Sequence, residues 1–263
     1  MPSTGGGRLM TEERRRQIVE LVGQRKRATV HELVQRFNVS AVTIRADLDA
    51  LAEVSAVVRS HGGALAPLEG DRDMPVDVKE TLRRAEKARI GRAAAQLVRE
   101  NETIILDSGT TTAEEARHLK LLNLKSLTVI TNALNIAMQL ANVPQVRVIM
   151  LGGILRPLSY SLVGPHAEQA LQGLNAERLF LGVDGFDAEL GPTTPDVLEA
   201  QLNALMIRVS RETTIVADST KFSRRSLSLI AKMDAIHRVI TDDDVAPETV
   251  AALRARSVDV MVV

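Results

Sequence analysis

The stretch Val39-Ser-Ala-Val-Thr-Ile-Arg-Ala-Asp-Leu-Asp-Ala-Leu-Ala-Glu53 decides how this chain is read. Ser40 can cap a helix, because its side-chain oxygen accepts a backbone N–H that the first turn leaves unpaired. Ile44, Leu48 and Leu51 then fall at i, i+4 and i+7, so one stripe faces a core. Thr43 and Arg45 stand on the other face, close behind Ser40, Ala41 and Val42. A short helix with a buried stripe and donors near its N-terminus suits insertion into a DNA major groove. An ordinary amphipathic surface helix would share these features, so the neighbouring segments decide.

Upstream, Thr11 with Glu12 and Glu13 reads as a helix start, Ile18, Leu21 and Val22 as its buried stripe, and Arg25-Lys26-Arg27 as its end, where cations suit the dipole. A second helix carries Val30, Leu33, Val34 and Phe37, and Asn38-Val39 is a tight turn. Helix, short helix, turn, helix is the tri-helical helix-turn-helix plan. Downstream, Val57-Val-Arg-Ser-His-Gly-Gly-Ala-Leu65 reads as a small β-wing that places Arg59 and His61 near phosphates or the minor groove. The expected DNA-reading set is therefore Ser40, Ala41, Val42, Thr43, Arg45, Ala46, Arg59 and His61.

Composition sets bounds. The 263 residues carry 33 basic and 33 acidic side chains, so the whole-chain charge says nothing about partners. Residues 1–65 hold ten Lys/Arg against seven Asp/Glu, a mild basic bias. The absence of cysteine fits a reducing compartment. The N-terminus has no apolar core of a signal peptide and no stretch is long enough to span a membrane, so a cytoplasmic protein is expected. Aromatics at 2% make base-stacking platforms improbable, which favours duplex DNA over single strands. The five histidines are scattered, so neither a metal nor a cofactor is expected.

Beyond a Pro/Gly/Asp-rich stretch the pattern changes. A long helix is expected from about Thr81 to Arg99. Apolar runs then follow at Thr103-Leu106, Leu127-Ile130, Val146-Leu151, Leu179-Val183, Thr213-Ala217, Val239-Ile240 and Val258-Val263. They are continuous rather than alternating, as for strands buried on both faces. Helical segments at Thr111-Leu119, Ala133-Leu140, Pro195-Ser210 and Pro247-Arg254 separate most of them. The fold class is α/β: an N-terminal winged helix-turn-helix over 1–66, a linker over 67–80, and an open, mostly parallel sheet domain over 81–263.

In open α/β sheets ligands bind outside the carboxyl ends of the strands. Ile104-Ile-Leu-Asp-Ser-Gly-Thr-Thr-Thr112 runs from a strand through a glycine into a helix. Free N–H groups at that helix start, with the hydroxyls of Ser108, Thr110, Thr111 and Thr112, form an anion cradle suited to phosphate. Neither GxxxxGK[ST] nor GxGxxG is present, so a nucleotide is not implied. Lys221 can add positive charge. Gly152 and Gly153 allow close backbone approach, and Arg156 offers a guanidinium. Asp107, Asp184 and Glu199 can accept from sugar hydroxyls.

These residues resemble the DeoR family of bacterial transcription regulators over nearly the whole chain. The family's V-S-x-x-T-I-R-R-D-L-x-x-L run, followed by R-x-H-G-G-A, appears as Val39-Ser40, Thr43-Ile44-Arg45, Asp47-Leu48, Leu51, Arg59 and His61-Gly62-Gly63-Ala64. The family's sensor domain is matched by Asp107-Ser108-Gly109-Thr110-Thr111, Thr131-Asn132, Gly152-Gly153, Gly164, Thr193-Thr194, Glu199 and Asp218-Ser219-Thr220-Lys221-Phe222. Two positions depart: Ala46 stands for the second arginine, and Ser55 for the glycine before the wing. The resemblance implies a sensor similar in fold to sugar-phosphate isomerases and deaminases. It also implies a repressor, not an enzyme, that releases operator DNA when a phosphorylated sugar binds. Thr193–Met206 resembles regulators of amino-sugar use. Thr131, which stands just past an apolar run, and Asn132, which the resemblance adds, complete the effector set of Asp107, Ser108, Gly109, Thr110, Thr111, Thr112, Gly152, Gly153, Arg156, Asp184, Glu199 and Lys221. Two-fold operators imply a homo-oligomer, at least a dimer. The alternative is a sugar-phosphate isomerase or deaminase carrying a DNA-binding module, with an acid among Asp107, Asp184 and Glu199 as general base.

Overall fold

Ile18, Leu21 and Val22 recur at helical spacing, and Thr11–Arg25 is helix α1 in the computed structural model, which describes residues 11–53, 56–60, 62–65 and 73–263. Lys26 turns the chain at φ 63°. Strand β1 (Arg27–Thr29) leads directly into α2 (Val30–Phe37). Thr29 and Glu32 close a capping box on α2: Thr29 Oγ1 accepts the Glu32 N–H at 3.2 Å, and Glu32 Oε2 accepts the Thr29 N–H at 2.7 Å. Asn38 ends α2 in the left-handed region, its N–H donating to Val34 O. Ser40 then opens α3 (Ala41–Glu53), its Oγ accepting the Thr43 N–H at 3.1 Å. Ile44, Leu48 and Leu51 are buried with Ile18, Val22, Leu33 and Phe37 in one core.

Strands β2 (Val58–Ser60) and β3 (Gly63–Leu65) form the wing, and β1 joins it in an antiparallel sheet of order β1-β3-β2. The sequence reading carried the first helix through Arg27 and missed β1. Three residues with one buried side chain, Ala28, are too few for a period of two to register. Gly63 permits the pairing: a Cβ there would lie 2.2 Å from Ala28 O. Val76–Thr81 is helix α4, with Val76 buried, where the sequence suggested linker. The remainder of the expected linker lies mostly outside the described residues.

The chain divides into two compact units at the Leu82–Arg83 bond. The long helix expected from Thr81 begins instead at Arg84, since Leu82 is extended and Arg83 is left-handed; it ends at Ala95 as α5. The second unit continues with β4 (Thr103–Leu106), α6 (Thr110–Leu119), β5 (Leu127–Thr131), α7 (Leu134–Leu140) and β6 (Val146–Met150). A hairpin of β7 (Ile154–Arg156) and β8 (Ser161–Val163) leads to α8 (Pro165–Gln172) and β9 (Ala176–Leu181). Next come β10 (Gly185–Asp187), β11 (Gly191–Thr194), α9 (Val197–Arg208) and β12 (Ser210–Val216). The chain closes with β13 (Ser228–Leu229), β14 (Arg238–Thr241), α10 (Pro247–Arg254) and β15 (Asp259–Val262).

The seven expected apolar runs are the seven strands of one sheet, order β15-β14-β12-β9-β4-β5-β6, and every neighbouring pair is parallel. Both faces are covered, which is why the runs are continuous rather than alternating. Ile104, Leu106, Val129, Phe180, Val216 and Ile240 pack with residues of α5, α6 and α7. Ile105, Ile130, Leu179, Leu181, Ile215 and Val239 pack with residues of α8, α9 and α10. The small β10-β11-β13 sheet and the β7–β8 hairpin, absent from the sequence reading, are built on this frame.

Candidate functional site

The strand order has one switch point. From β4 the chain proceeds to β5 and β6 on one side, whereas from β9 it proceeds to β12, β14 and β15 on the other. The chain therefore leaves the adjacent strands β4 and β9 toward opposite sides of the sheet, and the carboxyl ends at such a point are where open α/β sheets bind ligands. The loops there are Asp107-Ser108-Gly109 and Gly182-Val183-Asp184. Their backbones approach closely: a Cβ on Gly109 would lie 3.2 Å from Gly182 Cα and 3.1 Å from Asp107 Oδ1.

Asp107 is 2% exposed. Its Oδ1 accepts from Thr112 Oγ1 at 2.7 Å and from the Gly109 N–H at 3.1 Å. Burial pushes its carboxyl up to about 6, although the hydrogen bonds from Thr112, Gly109 and Gly182 pull the other way, and the nearby charge of Asp184 adds to the rise. Thr112, fully buried, thus spends its hydroxyl on the loop that shapes the helix start. Ser108 and Thr111 are buried and Thr110 is half-buried, at the first turn of α6, where backbone N–H groups have no intrahelical acceptor.

The other predicted residues fall on the same carboxyl edge. Thr131 Oγ1 accepts the Ala133 N–H at 3.1 Å. Asn132 is fully buried, its Nδ2 donating to Leu162 O at 3.2 Å while its Oδ1 has no partner. Gly152 is exposed, and Gly153 adopts φ 130° against the hairpin, where a Cβ would lie 2.5 Å from Val163 O. Arg156 and Glu199 are brought together as an ion pair, and Arg156 Nε also meets Asp196 Oδ2 at 3.1 Å. Asp184 Oδ2 accepts from Thr194 Oγ1 at 3.4 Å. Lys221, half-buried, ends the turn Ser219–Lys221 after β12, which Asp218 caps through the Thr220 N–H at 3.1 Å.

Sequence reasoning missed Glu115. It is fully buried in α6, neither carboxyl oxygen has a hydrogen-bond partner, and burial with the charge of Asp107 raises it well above the usual carboxylate range. A lone glutamate on a helix carries no signal of burial; only the packing of α5 against α6 reveals it. There a Cβ on Gly91 would lie 2.6 Å from the Glu115 backbone N.

On the first unit, α3 presents Ser40, Val42, Arg45 and Ala46 to solvent, Val42 at 73%. Ala41 and Thr43 are half-buried, and Thr43 Oγ1 lies 2.9 Å from Ser40 Oγ. Arg59 braces the wing against α3, donating to Asp49 Oδ1 at 2.8 Å and to Gly63 O at 2.7 Å. His61 and Ser55 lie outside the described residues. What the sequence did not show is how α3 is held. Asp47, 2% exposed, accepts from Arg14 Nε at 2.6 Å and Arg15 Nε at 2.9 Å, so α1 and α3 are clamped by charge as well as packing.

Among the described residues no helix is long and apolar enough to cross a membrane, and no group of three or more His, Asp or Glu is placed to hold a metal. The DeoR-like helix-turn-helix domain matches residues 14–69, and the DeoR C-terminal sensor domain matches residues 82–243. A protein of Escherichia coli O157:H7 named as a repressor of the aga operon is 37% identical over 255 residues, 96% of this chain and 94% of that one. The glycerol-3-phosphate regulon repressor of Escherichia coli K12 is 32% identical over 242 residues, 92% of this chain and 94% of that one. Ribose 5-phosphate isomerase A of Neisseria gonorrhoeae is similar over 53% of both chains, with a TM-score of 0.40 and 16% identity. With both domains matched in order and relatives covering nearly its full length, this chain belongs to the DeoR family of helix-turn-helix transcriptional regulators.

Proposed function

We propose that this regulator represses a carbohydrate-utilisation operon, acts in the cytoplasm as a homo-oligomer, and is switched by a phosphorylated sugar rather than turning one over. The observation that carries the reading is the switch point between β4 and β9, with the α6 N-terminus and threonine hydroxyls beside buried Asp107. A phosphate at Ser108, Gly109, Thr110 and Thr111 is favoured by the helix dipole and unpaired N–H groups. Asp107, Asp184 and Glu199 supply acceptors for hydroxyls, and Lys221 supplies charge. On DNA, Arg45 and Thr43 read from α3 with Ser40, Ala41, Val42 and Ala46 at its start, and Arg59 and His61 face backbone or minor groove. The names of the relatives, repressors of the aga operon and of the glycerol-3-phosphate regulon, support this class of output.

The test is a thermal-shift and operator-release screen against hexose, hexosamine and glycerol phosphates, repeated with Thr110 and Thr111 both replaced by Val. A ligand at 100 times its Kd adds about 2.7 kcal/mol. Stabilisation by a phosphorylated sugar, lost in the double variant and absent with the unphosphorylated sugar, is expected. Retained response would move the phosphate elsewhere. An acid near 6 is also suited to proton transfer, so the same samples are followed for product; multiple turnovers would replace the sensor with an enzyme.

A further inference from the structure

Leu82 and Arg83 are consecutive, yet each is anchored in a different unit. Leu82, extended at φ −86°, packs against the core of the first unit. Arg83 is held by the second: its Nη2 donates to Asp242 Oδ1 at 3.2 Å, Asp244 Oδ2 at 2.5 Å and Ser219 Oγ at 3.2 Å. Its Nε also faces Glu86 Oε1 at 3.4 Å. The Arg83 backbone is left-handed, φ 52° and ψ 38°, a conformation a non-glycine residue keeps only where its surroundings hold it.

The acceptors belong to the carboxyl edge of the sheet. Asp242 follows β14, is fully buried, and takes the Ser219 N–H at 2.7 Å and the Asp244 N–H at 3.0 Å. Burial alone would raise its carboxyl, but the bonds from Ser219 and Asp244, with the charge of Arg83, bring it below the usual value, so Asp242 is a firm anionic anchor. Ser219 opens the turn that ends at Lys221. One guanidinium therefore ties the point where the chain enters the second unit to the loops after β12 and β14.

We propose that Arg83 is the positioning residue that couples the Ser219–Lys221 turn of the effector site to the DNA-binding unit. The proposal rests on the sensor reading above for its ligand, but not for its geometry. A ligand that shifts the turn alters where Ser219 and Asp242 sit, and Arg83 must follow or release them. Leu82, the preceding residue, belongs to the first unit, so the two anchors are one peptide bond apart in the chain. Coupling between sites is reciprocal: DNA bound to the first unit must in turn alter the Ser219–Lys221 turn.

That reciprocity supplies a test that needs no effector. In full-length protein bound to duplex DNA selected from a random library, amide exchange over residues 217–222 and 241–245 is expected to change at least threefold relative to free protein. The change is expected to vanish in Arg83→Ala, with DNA affinity within about threefold of the parent, and to be restored at least in part in Arg83→Lys. Asp244→Asn, a change at an exposed partner, serves if Arg83→Ala does not fold. No change in the parent, or an equal change in Arg83→Ala, overturns the proposal. A second arm uses whichever of glucosamine 6-phosphate, N-acetylgalactosamine 6-phosphate, fructose 6-phosphate or glycerol 3-phosphate raises the parent's melting temperature. The ratio of DNA Kd with and without that compound should fall to near one in Arg83→Ala while the thermal shift persists; an unchanged ratio overturns the coupling role. If none of the four stabilises the parent, the sensor reading fails for these compounds and the exchange arm alone decides the role of Arg83.

Discussion

Arg156 Nη1 donates to Glu199 Oε2, and the two side chains retain only 12% and 13% exposure. The pair fastens the β7–β8 hairpin to the first turn of α9, where Asp196 caps the helix by accepting the Glu199 N–H at 2.8 Å. Arg156 also donates to Ser159 Oγ at 2.8 Å. The guanidinium thus closes a frame at one end of the proposed effector site, and acids at the N-terminus of α9 suit its dipole.

Glu199→Gln removes one of the two carboxylates around Arg156 while Asp196 remains. The expected loss is about 1–3 kcal/mol, the range for a hydrogen bond to a charged group, read by thermal unfolding without ligand. An unchanged melting temperature combined with weakened effector binding would assign Glu199 to the ligand rather than to the frame.

Asp47→Ala removes the carboxylate that Arg14 and Arg15 share. Breaking a buried pair from one side costs about 3–5 kcal/mol, and Asp47 and Arg14 retain 2% and 5% exposure. The first unit should unfold at markedly lower temperature, with DNA binding lost in parallel. A loss under about 1 kcal/mol would show that apolar packing alone holds α1 to α3.

Arg45→Ala should do the reverse. Arg45 is exposed on α3, so stability should stay within about 0.5 kcal/mol. Specific DNA affinity should fall by about 1–3 kcal/mol if the side chain reads a base through two bonds. Titrations at one fixed salt concentration decide, because phosphate contacts change with salt. Equal loss on specific and random DNA would make Arg45 a phosphate contact.

Asp107 gives the second unit a pH signature. Its folded value of about 6 exceeds the ordinary one of 3.8. Between these values the folded state keeps a proton that the unfolded state has released. The Asp107 contribution to stability therefore declines as pH rises from about 4 to about 6 and is level beyond, a span of about 3 kcal/mol, while Glu115, also raised, adds a decline of its own. Asp107→Asn should flatten that window in melting curves; an identical slope in the variant would place the effect elsewhere. Glu115→Met, which removes a buried carboxyl whose oxygens lack partners, should stabilise by about 1–3 kcal/mol at neutral pH. Destabilisation there would mean that the carboxyl is satisfied in solution.

Much of this architecture was legible because it is written in short-range periodicity. The Ile44, Leu48, Leu51 stripe and the Ser40 cap involve residues within a few turns of one another, and each apolar run carries its own signal of double-sided burial. The glycine and hydroxyl cluster at Ser108–Thr112 was equally local. By contrast, β1 is only three residues long and has meaning only when paired with β3.

The sequence by itself determined the winged helix-turn-helix, the seven strands and the chemistry offered at their ends. Only the tertiary structure decided that β4 lies beside β9, which makes the switch point, and that Arg156 meets Glu199, Arg14 meets Asp47 and Arg83 meets Asp242. Those pairs are separated by 43, 33 and 159 residues. Local patterning acts through neighbours in the chain. Which charges meet and where strands diverge depends on the order in which whole elements pack, and no short stretch contains that order.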